Sequence, residues 1–145
     1  MAEEREARLL ATPPEAWHVR DSLVVGWYDG PTEGFCWLEP PGARLYFSLL
    51  EERHNPHGLD DRLFTVHLLS PGTYEVLQPL FDFEGGRMDP VREERLDREV
   101  KQAIASATPL DLLVYTQNWR QVLGCWRRSA YEPRGRTWFE TLGIE

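Results

Sequence analysis

Lysine is nearly absent from this chain. Of its 16 basic residues only Lys101 is a lysine and the rest are arginine, which reads mainly as the codon bias of a G+C-rich coding sequence. Cysteine is scarce as well: Cys36 and Cys125 lie far apart and match no metal-binding or redox spacing. Two thiols outside any disulfide framework fit a reducing compartment, so a cytoplasmic protein is expected. No apolar run approaches the roughly 18–20 residues that a membrane span requires, and no membrane partner is expected. The N-terminus, MAEEREARLL, lacks an apolar h-region, so no signal peptide is expected. Also missing are G-x-x-x-x-G-K-[ST], G-x-G-x-x-G, G-x-S-x-G and H-E-x-x-H. Those signatures handle phosphate, dinucleotide, acyl groups and zinc. Without them no cofactor is expected, and an enzyme is not the leading reading.

What is present describes an ordinary folded domain. The chain has 145 residues, 41% apolar and 28% charged, enough to bury a sizeable core without a disulfide or metal staple. Residues 1–16 read as an N-terminal arm, a short helix stopped by Thr12-Pro13-Pro14, and residues 17–145 as a single α+β domain. The net charge is −8, which opposes non-specific adhesion to nucleic acid or anionic membrane. It is unevenly spread. Residues 1–111 hold 21 acids against 11 bases, whereas residues 112–139 hold five arginines and a single acid, Glu132.

Four segments read as strands: 22–28 (SLVVGWY), 34–38 (GFCWL), 44–50 (RLYFSLL) and 62–69 (RLFTVHLL). Asp29-Gly30-Pro31 between the first two is turn chemistry, so the acids Asp29 and Glu33 are read as loop residues and not as a catalytic pair. Together the four make an antiparallel meander. Side chains alternate along a strand, and neither alternate set is polar. One holds Leu23, Val25, Trp27, Phe35, Trp37, Leu45, Phe47, Leu49, Phe64, Val66 and Leu68. The other holds Val24, Tyr28, Cys36, Leu38, Tyr46, Leu50, Leu63 and Leu69. Register between strands is left open. A sheet greasy on both sides must be covered on both sides.

Residues 73–81 suggest a short helix interrupted by Pro79. Asp89-Pro90 opens the clearest helix, running to about 107, with Leu96, Val100, Ala103, Ile104 and Ala107 as its apolar stripe. Glu94–Arg98 and Asp97–Lys101 are favourable i,i+4 pairs on its solvated face. A fifth strand is expected at 111–116. Beyond it, Asn118 with Trp119, Val122, Leu123 and Trp126 has helical spacing, although Gly124 leaves a strand open. The expected fold is therefore α+β: a curved antiparallel sheet of about five strands, covered by the 90–107 helix and a C-terminal helical or strand segment.

Two constellations could carry chemistry. The loop between strands three and four brings His54, His57, Asp60 and Asp61 within a few residues. Imidazole and carboxylate suit a transition metal able to activate water, so a metal-dependent hydrolase is one alternative. The C-terminal run offers Trp119, Arg120, Trp126, Arg127, Arg128, Arg134 and Arg136. Arginine forks bind carboxylate or phosphate and aromatic faces stack on bases, so a nucleic-acid or nucleotide binder is a second alternative. The same tryptophans could instead finish the core, with the arginines pairing to the acidic remainder of the chain. The leading expectation is a small non-enzymatic adaptor or immunity-like module that binds a protein partner, or a second copy of itself. Its motive is a bipolar charge distribution and a sheet with apolar surface on both sides.

Overall fold

The computed structural model describes residues 2–54, 60–81 and 89–130; the side chains of residues 2, 53, 54, 60 and 61 fall outside that description. The fold is α+β. Six antiparallel strands form one curved, open sheet in the order of the chain, β1 to β6. They are Val19–Trp27 (β1), Pro31–Leu38 (β2), Ala43–His54 (β3), Asp60–Leu68 (β4), Thr108–Thr116 (β5) and Gly124–Trp126 (β6). Three helices accompany them: α1 (Ala2–Leu10), α2 (Thr73–Phe81) and α3 (Pro90–Ser106).

The meander arises from local signals. β1 and β2 join through a tight turn in which Asp29 and Gly30 both adopt positive φ, at 53° and 131°. Pro31 opens β2, a position where a missing donor is tolerated. The register places Phe35 opposite Tyr46 and Cys36 opposite Leu45. Phe35 and Trp37 therefore share a face with Tyr46, while Leu45 and Phe47 share the other with Cys36 and Leu38. That resolves the open register and divides the side chains between faces differently from simple grouping by strand.

One face packs against α2 and α3. Leu23, Phe35, Tyr46 and Leu69 meet Tyr74 and Leu77 of α2 and Ala103 of α3, with Val100, Ile104 and Ala107 alongside. The helical stripe expected from the sequence thus does face the sheet. Asp89 caps α3 by accepting a bond from the Arg92 amide at 2.9 Å, ahead of Pro90 in the first turn. Tyr74 and Gln78 of α2 both donate to the Asp21 carboxylate of β1, at 2.6 and 3.0 Å.

The concave face is filled by α1, Trp17 and the β5–β6 connection. Leu9 of α1, Trp17 and Val122 join Leu38, Leu45, Val66, Leu112 and Val114 in a second cluster. The Trp17 indole donates to the Thr12 carbonyl at 2.9 Å. Curvature brings the start of β1 toward the segment preceding β6, where His18 and Gln121 form an isolated bridge. A cavity of about 50 Å³ remains inside this curl, lined by apolar side chains including Phe47, Phe64 and Val122.

The segment after β5 departs from helical spacing. Asn118 behaves as a cap would, its Oδ1 accepting from the Arg120 amide at 3.1 Å and its carbonyl from the Gln121 amide at 2.7 Å. A short turn follows in place of a helix. The chain then enters β6, where Gly124 faces Tyr115 across the ladder. A Cβ there would collide with the Tyr115 ring, 2.7 Å from Cε1. The sixth strand raises the count above the five expected. Pro109 lies inside β5, opposite His67. β6 pairs only with Leu113–Tyr115, so the outer side of Pro109 needs no donor. Among the described residues no helix is long and apolar enough to cross a membrane.

Candidate functional site

The sequence singled out two regions, and the structure treats them differently. At the far end of the β3–β4 ladder, His54 is the register partner of Asp60 and Arg53 of Asp61. His57 lies outside the described residues, as do the side chains of the other three candidate ligands. Among the described residues no three or more His, Cys, Asp or Glu side chains converge into a metal-binding group. His67, farther along β4, stacks against Tyr46 with ring centroids 5.4 Å apart. Burial, with a smaller contribution from Arg128, holds its pKa below the ordinary imidazole value, which keeps it a neutral sheet histidine.

In the C-terminal run, Trp119, Arg120, Trp126, Arg127 and Arg128 are described, and Arg134 and Arg136 lie outside the described residues. The described members serve several separate purposes. Trp119 lines the concave cavity, and the Arg120 guanidinium lies over its ring, 4.7 Å from the centroid. Trp126 sits on the opposite face of the sheet, half-buried against Leu63, Leu113 and Tyr115. Arg127 pairs with Glu6 of α1, an acid only 2% exposed. Arg128 is exposed beside Asp111. The Asp111 carboxylate accepts from the Ser129 amide and hydroxyl at 2.7 and 2.9 Å, which ties the chain after β6 back to β5.

The acids of the first hairpin are likewise engaged. The Tyr46 hydroxyl donates to Glu33, and burial together with that carboxylate pushes the Tyr46 pKa up to about 12. Asp29 stands in the turn, as its sequence context implied.

The site that sequence reasoning missed is the tip of this hairpin. Trp27 and Tyr28 are 63% and 74% exposed, far more than a large aromatic normally tolerates. Leu50 of β3 is also exposed, two residues beyond the last β2–β3 register pair, Glu33 with Ser48. Beneath the tip runs Arg62 of β4, only 9% exposed. Its Nη1 donates to the Pro31 carbonyl at 3.0 Å, and its Nη2 donates to the carbonyls of Tyr28 and Asp29. Its Nε pairs with Glu52 at 2.8 Å. One guanidinium therefore supplies three turn carbonyls with charge-assisted donors, using the planar fork that lysine lacks. Gly30 belongs to the same construction: its φ of 131° disfavours any side chain, and a Cβ would stand 3.0 Å from the Arg62 Nη1. The turn is thus held by Arg62, while Trp27 and Tyr28 beside it stay largely exposed. In the sequence, only the Trp-Tyr pair ahead of Asp-Gly could have signalled this, because the burial of Arg62 depends on the long-range pairing of β4.

No family model matches the chain, and neither a curated protein nor a solved structure is significantly similar to it.

Proposed function

We propose that the protein is a non-enzymatic, cytoplasmic module of the adaptor or immunity-like kind that binds another protein through the tip of the β1–β2 hairpin. The observation that carries this reading is the presentation of Trp27 and Tyr28 on a turn held by the buried Arg62. Tryptophan and tyrosine dominate binding hot spots because they bury large areas at low conformational cost. A rigid display lowers the ordering cost of association. Leu50 of β3 is a further exposed apolar side chain, and Asp29 in the turn and Glu52, paired with Arg62, supply charge beside it. Such an apolar centre with a charged edge is the anatomy of a specific interface.

A photo-crosslinking residue in place of Tyr28, expressed in cells, tests the reading. One discrete protein adduct is expected. It should disappear with Trp27→Ala, and also with Arg62→Met, which keeps both aromatics but frees the turn. A crosslinker at Glu3 should not reproduce it. Absence of a discrete adduct, or the same adduct from both positions, would refute the docking site.

A further inference from the structure

β1 is the outermost strand of the sheet. Beyond the bridge at His18, its outer side pairs with no other strand among the described residues. An open edge carries unused amide and carbonyl groups and acts as a template for another strand. Proteins usually blunt such edges, and this one is blunted in part. Bulges interrupt β1 between Val24 and Gly26 and again before Trp27, whereas Asp21 to Val24 pair regularly with Trp37 to Gly34. The regular stretch has room for one short added strand, while the bulges that follow stop pairing from spreading along the edge.

Beside this stretch lies a groove of about 560 Å³ between β1 and α3, within the range of ligand-binding clefts. Its floor is Val25, Phe81, Leu96 and Val100, and its rim carries Glu93 and Glu94. Val25 is 44% exposed, an apolar side chain not covered by the sheet's own helices. Asp97, also on the rim, pairs with Lys101 at 3.0 Å. Glu93 and Glu94 form no ion pair with any described residue, so of the two i,i+4 pairs expected on this helix only Asp97–Lys101 forms and Glu94–Arg98 does not. Among the described residues, the groove therefore combines an open backbone edge, an apolar floor and two carboxylates without an ion-pair partner.

We propose that a short extended segment of the partner protein, alternating apolar and basic residues, adds to the outer edge of β1 as a further antiparallel or parallel strand. This rests on the protein-binding reading of the hairpin tip. Main-chain bonds to Asp21–Val24 supply affinity, apolar side chains enter the groove over Val25 and Leu96, and basic side chains face Glu93 and Glu94. A second copy of this chain fits poorly. Two-fold pairing of β1 with itself would set both copies' glutamates near one another, and like charges facing across a pair are destabilising.

The test uses the full chain and three synthetic peptides: Lys-Val-Lys-Val-Lys-Val, its glutamate counterpart, and an N-methylated form of the lysine peptide. The lysine peptide is expected to shift the resonances of Val24, Val25, Leu96 and Val100, and to protect the outward amides of β1 from exchange. Glu93→Lys with Glu94→Lys should weaken it at least tenfold. The acidic and N-methylated peptides should not bind. Equal binding of all three, no shifts at millimolar peptide, or slow exchange of those amides in the free protein would overturn the proposal. So would a dimer by light scattering that uses this edge. The double lysine variant also separates the two readings. If it retains the Tyr28 adduct at full yield, the edge proposal fails while the hairpin tip stands. If the parent gives no adduct, the tip reading fails by itself, and peptide binding decides the edge on its own evidence.

Discussion

At the scale of single residues, several side chains with chemical potential have been turned to structural use. Cys36 and Cys125 are the clearest. Burial pushes their thiols up to about 12 and about 11 respectively. The thiolate is the reactive species, so both should behave as small apolar groups near neutral pH. In the folded protein at pH 8, each should react with an aromatic disulfide reagent roughly a hundredfold slower than in denaturant, where two thiols should titrate promptly. Rapid labelling of Cys36 in the native state would contradict its position in the concave core. Arg62 shows the opposite conversion. A strand arginine, unremarkable in sequence, becomes a donor to three carbonyls of the Tyr28–Pro31 turn. No local pattern announces such a residue, because the turn carbonyls it serves stand more than thirty positions away in the chain.

At the scale of elements, the strands and long helix were readable because each rests on local grammar. Asp89-Pro90 caps α3 as its composition implies, and Asp29-Gly30 makes the first turn with positive φ. The segment after β5 was not settled by that grammar. Trp119, Val122 and Trp126 have helical spacing, yet Trp119 and Val122 line one face of the sheet and Trp126 packs on the other. Three apolar residues divided between two faces mimic a helical stripe, and only tertiary pairing distinguishes them. The spacing of histidines in the β3–β4 loop was legible as a candidate but lies outside the described residues, whereas the edge of β1, unpaired among the described residues, has no sequence signature at all. The joint between α1 and β6 yields a prediction. Glu6 is buried and answers to Arg127, whose side chain is 54% exposed. Arg127→Met should destabilise the fold by about 1–3 kcal/mol, less than for a fully buried pair because solvent screens the arginine. Adding Glu6→Gln should recover part of that loss, since no buried charge then lacks a counterion. Chemical denaturation of the two variants measures both changes. An unaltered midpoint for Arg127→Met would mean that α1 is not anchored through this pair.

At the scale of the whole molecule, the sheet is covered on both faces but by different means, α2 and α3 outside and α1, Trp17 and the β5–β6 connection inside. The inner filling is incomplete, leaving the cavity of about 50 Å³ against Val122. Val122→Ile adds one methylene there and should stabilise the protein by about 0.5–1 kcal/mol, visible as a melting temperature several degrees higher. A loss of stability would show that the space does not admit the extra carbon. Part of the apolar surface left over lies along one side of the sheet, at Val25, Trp27 and Tyr28, with Leu50, Val76 and Val91 exposed on other elements. That side is where both proposals place the partner.

The arginine under the hairpin has a consequence for when that surface exists. β1, β2 and their turn can form as a local hairpin early, but the guanidinium arrives only when β4 has docked beyond β3. Until then the aromatic pair has no fixed stance. A partner that needs Trp27 and Tyr28 in their final orientation would consequently ignore nascent or half-assembled chains, making recognition itself a readout of completed folding.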